Sequence, residues 1–148
     1  MDSSGIHLWL VLMKAYRTLE RHARRSIEPL GLGSSDFAIL ELLLHRGQQA
    51  VNAIGRRVDL TSGAITSAVD RLAAQGLVVR TADAEDRRTR FVSLTPKGTA
   101  RIREGFGVHR LAMEGATRGL TKTERKTLIN LIKKLGRAAE EQLAKSSQ

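Results

Sequence analysis

The stretch from Ala50 to Thr95 leaves this chain few ways to fold, because its apolar period changes from helical to strand-like inside it. Val51 to Val58 reads as a short helix of about two turns. Asp59-Leu60-Thr61 forms the turn after it. Thr61 suits an N-cap, since its hydroxyl can accept from a free N–H of the next helical turn. Gly76 suits a C-terminal stop, since glycine readily takes the left-handed backbone that closes helices. The helix so bounded, Ser62 to Ala74, puts Ile65, Val69 and Leu72 on one inward face. Ser62, Gly63, Thr66, Ser67, Asp70 and Arg71 are left on the outer face. Two helices joined this way form a helix–turn–helix, whose second helix can lie in a DNA major groove.

A hairpin follows. Leu77-Val-Val-Arg-Thr81 is β-branched and comes after a helix-ending glycine, so it reads as a strand, with Phe91 to Leu94 as its antiparallel partner. Between them Ala82 to Arg90 is a charged loop, with Asp86, Arg87, Arg88 and Arg90 at or beside its tip. An arginine at a hairpin tip can enter a narrow A·T-rich minor groove, where negative potential is enhanced. Asp86 can fix one of these guanidiniums through a forked pair. A charged turn that only blunts an edge strand would look similar. The place directly behind a helix–turn–helix favours the groove.

The outer helix face fits the same partner. Ser62, Thr66 and Ser67 allow close approach to a groove floor and can reach phosphates or base edges. Gly63 removes a side chain near the helix N-terminus, where backbone N–H groups can meet a phosphate. Arg71, further along, can reach a phosphate or a guanine edge. Taken alone, this face would also suit plain solvation. The charge balance weighs against that: the formal net charge is +10, with a pI of about 11.0, which points to nucleic acid or an anionic membrane surface.

The remaining sequence reads as helices around this stretch. Leu8, Leu12, Ala15, Leu19, Ala23 and Ile27 fall at helical spacing, widened by Trp9 and Val11, with Lys14, Arg17, Glu20, Arg21, Arg24 and Arg25 on the far side. So wide a stripe suggests burial on more than one side, by the core or by a second chain. Ser34 or Ser35 can cap a second helix rich in apolar residues (Phe37, Ile39, Leu40, Leu43, Leu44), closed by Gly47. Thr95 and Pro96 start a further helix. Its interior glycines, Gly98, Gly105, Gly107 and Gly115, predict a bend or a need for packing support. Thr121 to Glu124 is a capping box for the last helix.

The 148 residues suit one domain, 1–148, and 41% hydrophobic content is enough for a core. There is no cysteine, which excludes disulfides, thiolate metal sites and thiol-based sensing. His7, His22, His45 and His109 show no short metal-binding spacing. With no catalytic constellation and no phosphate-cradling glycine loop, neither an enzyme nor a cofactor is expected. Met1 to His7 has no basic lead or cleavage site, and Leu8 to Met13 is too short to span a bilayer. A soluble chain without membrane partners is expected, cytoplasmic if bacterial.

Asp86-x-Arg88, five residues, Leu94-Thr95 and then Pro96-Lys97-Gly98 resemble the wing signature of the MarR family of bacterial transcriptional regulators. Leu60 to Leu72 and Gln75 to Arg80 resemble that family's recognition helix and first wing strand, and length and helix order match over nearly the whole chain. The resemblance implies a mainly α (α+β) fold with a winged helix–turn–helix over 50–95. It implies dimerisation helices over 5–30 and 97–145, in a homodimer reading a pseudo-palindromic site in double-stranded DNA. By position, Arg88 becomes the minor-groove arginine and Asp86 its orienting partner. Ser62, Gly63, Thr66, Ser67 and Arg71 would face the major groove, with Arg56, Arg57, Arg71, Arg87 and Lys97 neutralising phosphates. One departure is Ala50 at the cap before the first motif helix, where Ser or Thr is commoner and Asn52 could compensate. Many such regulators respond to small aromatic or phenolic ligands. The run from Trp9 to Arg17 and the stretch from Gly31 to Leu40 resemble a quinone-responsive branch, and His7, Trp9, Met13, Tyr16, Arg17 and Phe37 are the candidate pocket residues, against a reading of plain helix packing. The expected function is a dimeric repressor; the alternative is a winged-helix protein-interaction or architectural module with no operator of its own.

Overall fold

The structure is a computed structural model that describes residues 4–86 and 88–146. In chain order it has α1 (Gly5–Ile27), a 3-10 turn (Glu28–Leu30), α2 (Ser34–Arg46), β1 (Gln49–Ala50) and α3 (Val51–Arg57). Then come α4 (Ser62–Ala74), β2 (Val78–Ala82), β3 (Arg90–Leu94), α5 (Pro96–Ala116) and α6 (Lys122–Ser146). The chain divides into a larger compact unit ending at Met113 and a smaller one beginning at Glu114.

The core of the larger unit is built from the positions that the helical and strand periods mark as apolar. Ile39 and Leu40 of α2, Ile54 of α3, Val69 and Leu72 of α4, Val92 of β3 and Ile102 of α5 are fully buried. The inward face expected for Ser62–Ala74 forms, with Ala68 added to it. Thr61 caps α4 as expected, its Oγ1 accepting from the Ala64 N–H at 3.3 Å. Gly76 ends this segment at φ 70°. α2 starts differently: Gly33 holds the N-cap position and no side chain caps it, so neither Ser34 nor Ser35 does so. α3 likewise has Ala50 as a cap without a side-chain bond.

The hairpin forms with Arg80 opposite Val92 and Thr81 opposite Phe91. A third strand, β1, was not legible in the sequence. Its two residues add to the other edge of β3, giving the order β1-β3-β2. Two residues carry no alternation, so only the tertiary placement of β3 makes them a strand.

Thr95 to Gly98 then joins the hairpin to α5 and seals the end of α4. The Thr95 N–H donates to Leu77 O at 3.1 Å, its hydroxyl donates to Gly76 O at 2.6 Å, and Lys97 Nζ donates to Gln75 O at 2.8 Å. Three consecutive carbonyls behind α4 are thus satisfied by one short segment. The same Thr95 oxygen accepts from the Gly98 N–H at 3.0 Å, capping α5, and Pro96 opens that helix where no N–H is needed. Thr95→Ala therefore removes a cap and leaves Gly76 O without its hydroxyl. We expect a loss of about 1–2 kcal/mol in urea unfolding, and near-complete retention of stability in Thr95→Ser.

Two glycines of α5 are packing devices rather than hinges. A Cβ at Gly98 would meet Leu77 O at 1.9 Å, and one at Gly105 would meet Leu30 Cδ1 at 2.2 Å. Both residues are buried. Gly107 and Gly115 have nothing within 4 Å.

In the smaller unit the capping box forms as the sequence implies. The Thr121 N–H and hydroxyl donate to Glu124 Oε2 at 2.7 and 2.8 Å, and the Glu124 N–H returns to Thr121 Oγ1 at 3.3 Å. These bonds, the backbone one first, hold the Glu124 carboxyl below the usual carboxylate range. α6 buries none of its residues, and Leu128, Leu131, Ile132 and Leu135 are all exposed. In the larger unit the first half of α1 is just as uncovered, with Leu8, Trp9, Leu10 and Val11 each more than half exposed.

Candidate nucleic-acid interface

α3, the first half of α4 and the hairpin enclose one groove of about 610 Å³. Its walls include Asn52 and Arg56 from α3, Ser62 and Thr66 from α4, Arg80 from β2, and Arg88, Thr89 and Arg90 from the loop and β3. Five residues singled out in the sequence, Arg56, Ser62, Thr66, Arg88 and Arg90, thus meet in one concave basic surface. Arg57, Gly63 and Ser67 are exposed but do not line it. Gly63 has nothing within 4 Å of where a Cβ would stand, so protein packing does not require glycine there. Thr66 donates its hydroxyl to Ser62 O at 2.9 Å, which leaves its oxygen to act outward as an acceptor.

Arg71 is turned elsewhere. Its Nη2 and Nε reach the two Asp36 carboxylate oxygens at 2.7 and 3.4 Å, a fork between α4 and the first turn of α2. Asp36 is buried. The hydrogen bond and the charge of Asp36 raise the already high pKa of the guanidinium. The structure therefore does not bring Arg71 together with Ser62 and Thr66; it makes Arg71 a brace that fixes α4 on α2. Lys97 similarly has its bond to Gln75 O at the far end of α4 and does not line the groove.

The loop is built by aspartates acting on backbone. Asp83 Oδ1 accepts from the Glu85 N–H at 2.8 Å, and the Asp83 N–H donates to Thr89 O at 3.1 Å. Asp86 Oδ1 accepts from the Arg88 N–H at 2.9 Å, and its Oδ2 accepts from the Thr89 hydroxyl at 3.0 Å. For Arg88 this differs from the forked Asp86–guanidinium pair expected from the sequence, since Asp86 holds its main-chain N–H. A carboxylate two residues before an N–H closes a turn at small entropic cost, and local bonds of this kind outcompete a long, exposed side-chain pair. Asp86 still fixes Arg88, but through the main chain. The Arg88 side chain is exposed and forms no ion pair among the described residues. Arg87, also expected at this tip, lies outside the described residues.

Sequence reasoning missed Arg80. From β2 it pairs with Asp70 of α4 and donates from Nη2 to Thr66 O at 3.3 Å. It clamps the hairpin to the helix that the groove presents. Nothing local signals this pair, ten residues apart; it follows only once β2 is packed on α4.

The six candidate pocket residues are not gathered. Phe37 is a core residue, 4% exposed, with its ring 5.1 Å from that of His109. His109 Nδ1 in turn lies 2.8 Å from Ser26 Oγ. Trp9, Tyr16 and Arg17 are exposed on α1, and Met13 is half-buried. His7 lines a shallow apolar recess with Ile6, Leu10, Val11 and Lys14.

Comparison with known proteins agrees with this geometry. A family model described as MarR family matches residues 30–89. The HTH-type transcriptional regulator MhqR of Bacillus subtilis is 33% identical over 141 residues, covering 95% of this chain and 97% of MhqR. Sco3205 of Streptomyces coelicolor, a MarR family transcriptional regulator solved in complex with DNA, superposes with a TM-score of 0.84 at 22% identity, covering 94% and 93% of the two chains. Bordetella bronchiseptica BpsR, whose DNA binding is regulated by 6-hydroxynicotinic acid, gives 0.79 at 23% identity, covering 88% and 98%. A helix–turn–helix with a basic hairpin beside it, matched along nearly its full length to a regulator of this kind, places the chain in the MarR family of DNA-binding transcriptional regulators.

Proposed function

We propose that the chain is a homodimeric, non-catalytic repressor that reads a pseudo-palindromic operator and is released by a small aromatic or phenolic ligand. The groove carries this reading: a single concave surface gathers Arg56, Ser62, Thr66, Arg88 and Arg90 from three elements. In it α4 enters the major groove, with Ser62, Gly63 and Ser67 at close approach, and Arg88 extends into the adjacent minor groove. Arg57 and Arg87 neutralise backbone phosphates.

Dimerisation is supported by the apolar side chains that stand exposed on α1 and on α6. Water exposure of such faces is costly, and a second copy is the symmetric way to bury them. Two copies then set two α4 helices about one helical turn of DNA apart, ~34 Å. A ligand acts by binding one spacing of that dimer better than the other, and shifts the balance by no more than this difference in affinity. The regulator BpsR and its 6-hydroxynicotinic acid are the precedent for an aromatic effector on this fold.

Binding-site selection from random duplexes, followed by titration of the selected and scrambled sequences at fixed salt, tests the reading. We expect a preference of at least about a thousandfold, reduced when phenolic ligands are added. A ratio near one would instead favour a winged-helix interaction or architectural module.

A further inference from the structure

The basic side of α1 is used neither by the core nor by the groove. Arg21, Arg24 and Arg25 stand at i, i+3 and i+4, so their side chains are neighbours on one helix face. With Glu28, Leu32 and Ser34 they line a recess of about 560 Å³ between the end of α1 and the start of α2. All three arginines are exposed, and none is ion-paired with a carboxylate among the described residues. Among the described residues Arg21 makes a long bond, 3.5 Å, to Thr18 Oγ1. Three guanidiniums face one carboxylate, and like charges at this spacing repel. The helix dipole accounts for Arg24 and Arg25 in the last turn of α1, but not for Arg21 a turn earlier. α2 begins at the same recess without a side-chain cap, leaving first-turn N–H groups to other acceptors.

The recess opens at the start of α2, the helix that is fastened to α4. Two residues beyond Ser34, Asp36 holds Arg71 of α4 in the fork described above. Three guanidiniums without a carboxylate partner among the described residues thus adjoin the helix that braces α4. We infer that Arg21, Arg24 and Arg25 form a second phosphate-binding surface, which takes backbone phosphates of the bound DNA outside the main groove. The inference rests on the DNA-binding reading and adds a contact that carries no sequence information.

The test is the salt dependence of binding by full-length protein, on both the selected operator and a random duplex. The triple variant Arg21→Gln/Arg24→Gln/Arg25→Gln should weaken both by a similar factor. The slope of log K against log salt should become shallower by at least ~0.9, the value for one phosphate contact. The triple lysine variant, which keeps the charge, should keep the slope. If the glutamine triple does not fold by circular dichroism, Arg24→Gln alone gives the same reading. An unchanged slope in a folded variant overturns the proposal. So does inorganic pyrophosphate binding that needs the three arginines while the DNA slope is unmoved, because the recess then serves a free phosphate. Failure of the operator reading shows separately, as equal wild-type affinity for operator and random duplex.

Discussion

Alanine at Gly98 should cost the protein about 2–3 kcal/mol, read as a lowered urea midpoint at unchanged slope, whereas alanine at Gly107 should raise stability by up to ~1 kcal/mol. Both glycines lie in α5, so helix propensity favours alanine equally at each. The surroundings decide. A Cβ at Gly98 would stand 1.9 Å from Leu77 O, a backbone atom that cannot rotate away, while Gly107 has nothing within 4 Å. To admit the methyl group, α5 must lift off the segment that also carries the Thr95 and Lys97 bonds to Gly76 O and Gln75 O. The damage therefore spreads to the seal behind α4, and operator affinity should fall with stability. A Gly98→Ala protein as stable as the parent would show that this junction is not tight.

This junction also shows what a sequence can disclose. The succession Thr95-Pro-Lys-Gly98 is visible as a helix start, because capping chemistry is local. The bounds of α4, its inward face and the capping box at Thr121 were legible for the same reason: each depends on residues within a turn or two. The need for glycine at Gly98 and Gly105 was not, since the atoms that forbid a side chain belong to Leu77 and Leu30. Arg71 shows the limit from the other side. Its position on the outer face of α4 suggests a groove contact, but its partner Asp36 is 35 residues away, in a different helix. Arg80 and Asp70 repeat the lesson across a helix and a strand. The basic residues of the site were recognisable as a set; which of them face outward and which brace the scaffold is decided by long-range packing.

These braces give the groove a stiff frame. Arg71 fastens α4 to α2, Arg80 fastens it to β2, and Thr95 with Lys97 closes its C-terminal end. A helix held at three places can be moved only together with the elements that hold it. Movement of the larger unit as a body keeps all of these bonds, which suits a mechanism based on the spacing of two copies.

Removing the Arg88 side chain should lower operator affinity tenfold to a hundredfold, about 1–3 kcal/mol, without changing the thermal midpoint or the dimer. The guanidinium is exposed and unpaired with any carboxylate among the described residues, so Arg88→Ala takes nothing from the fold. Its full effect should appear on DNA, and most of it on A·T-rich sequence beside the half-site, where a narrow minor groove concentrates negative potential. Arg88→Lys should recover only part of the loss, because an ammonium supplies charge without the planar fork. Asp86 separates the two accounts of the wing. If it works through the Arg88 N–H and the Thr89 hydroxyl, as the geometry has it, then Asp86→Ala should still weaken binding in the Arg88→Ala background, because the whole loop loses its turn. If its role were to aim the guanidinium, the second substitution would add nothing once Arg88 is gone. Titration of the four proteins on one operator at one salt concentration decides between them, and operator affinity undiminished in Arg88→Ala would remove the wing from recognition altogether.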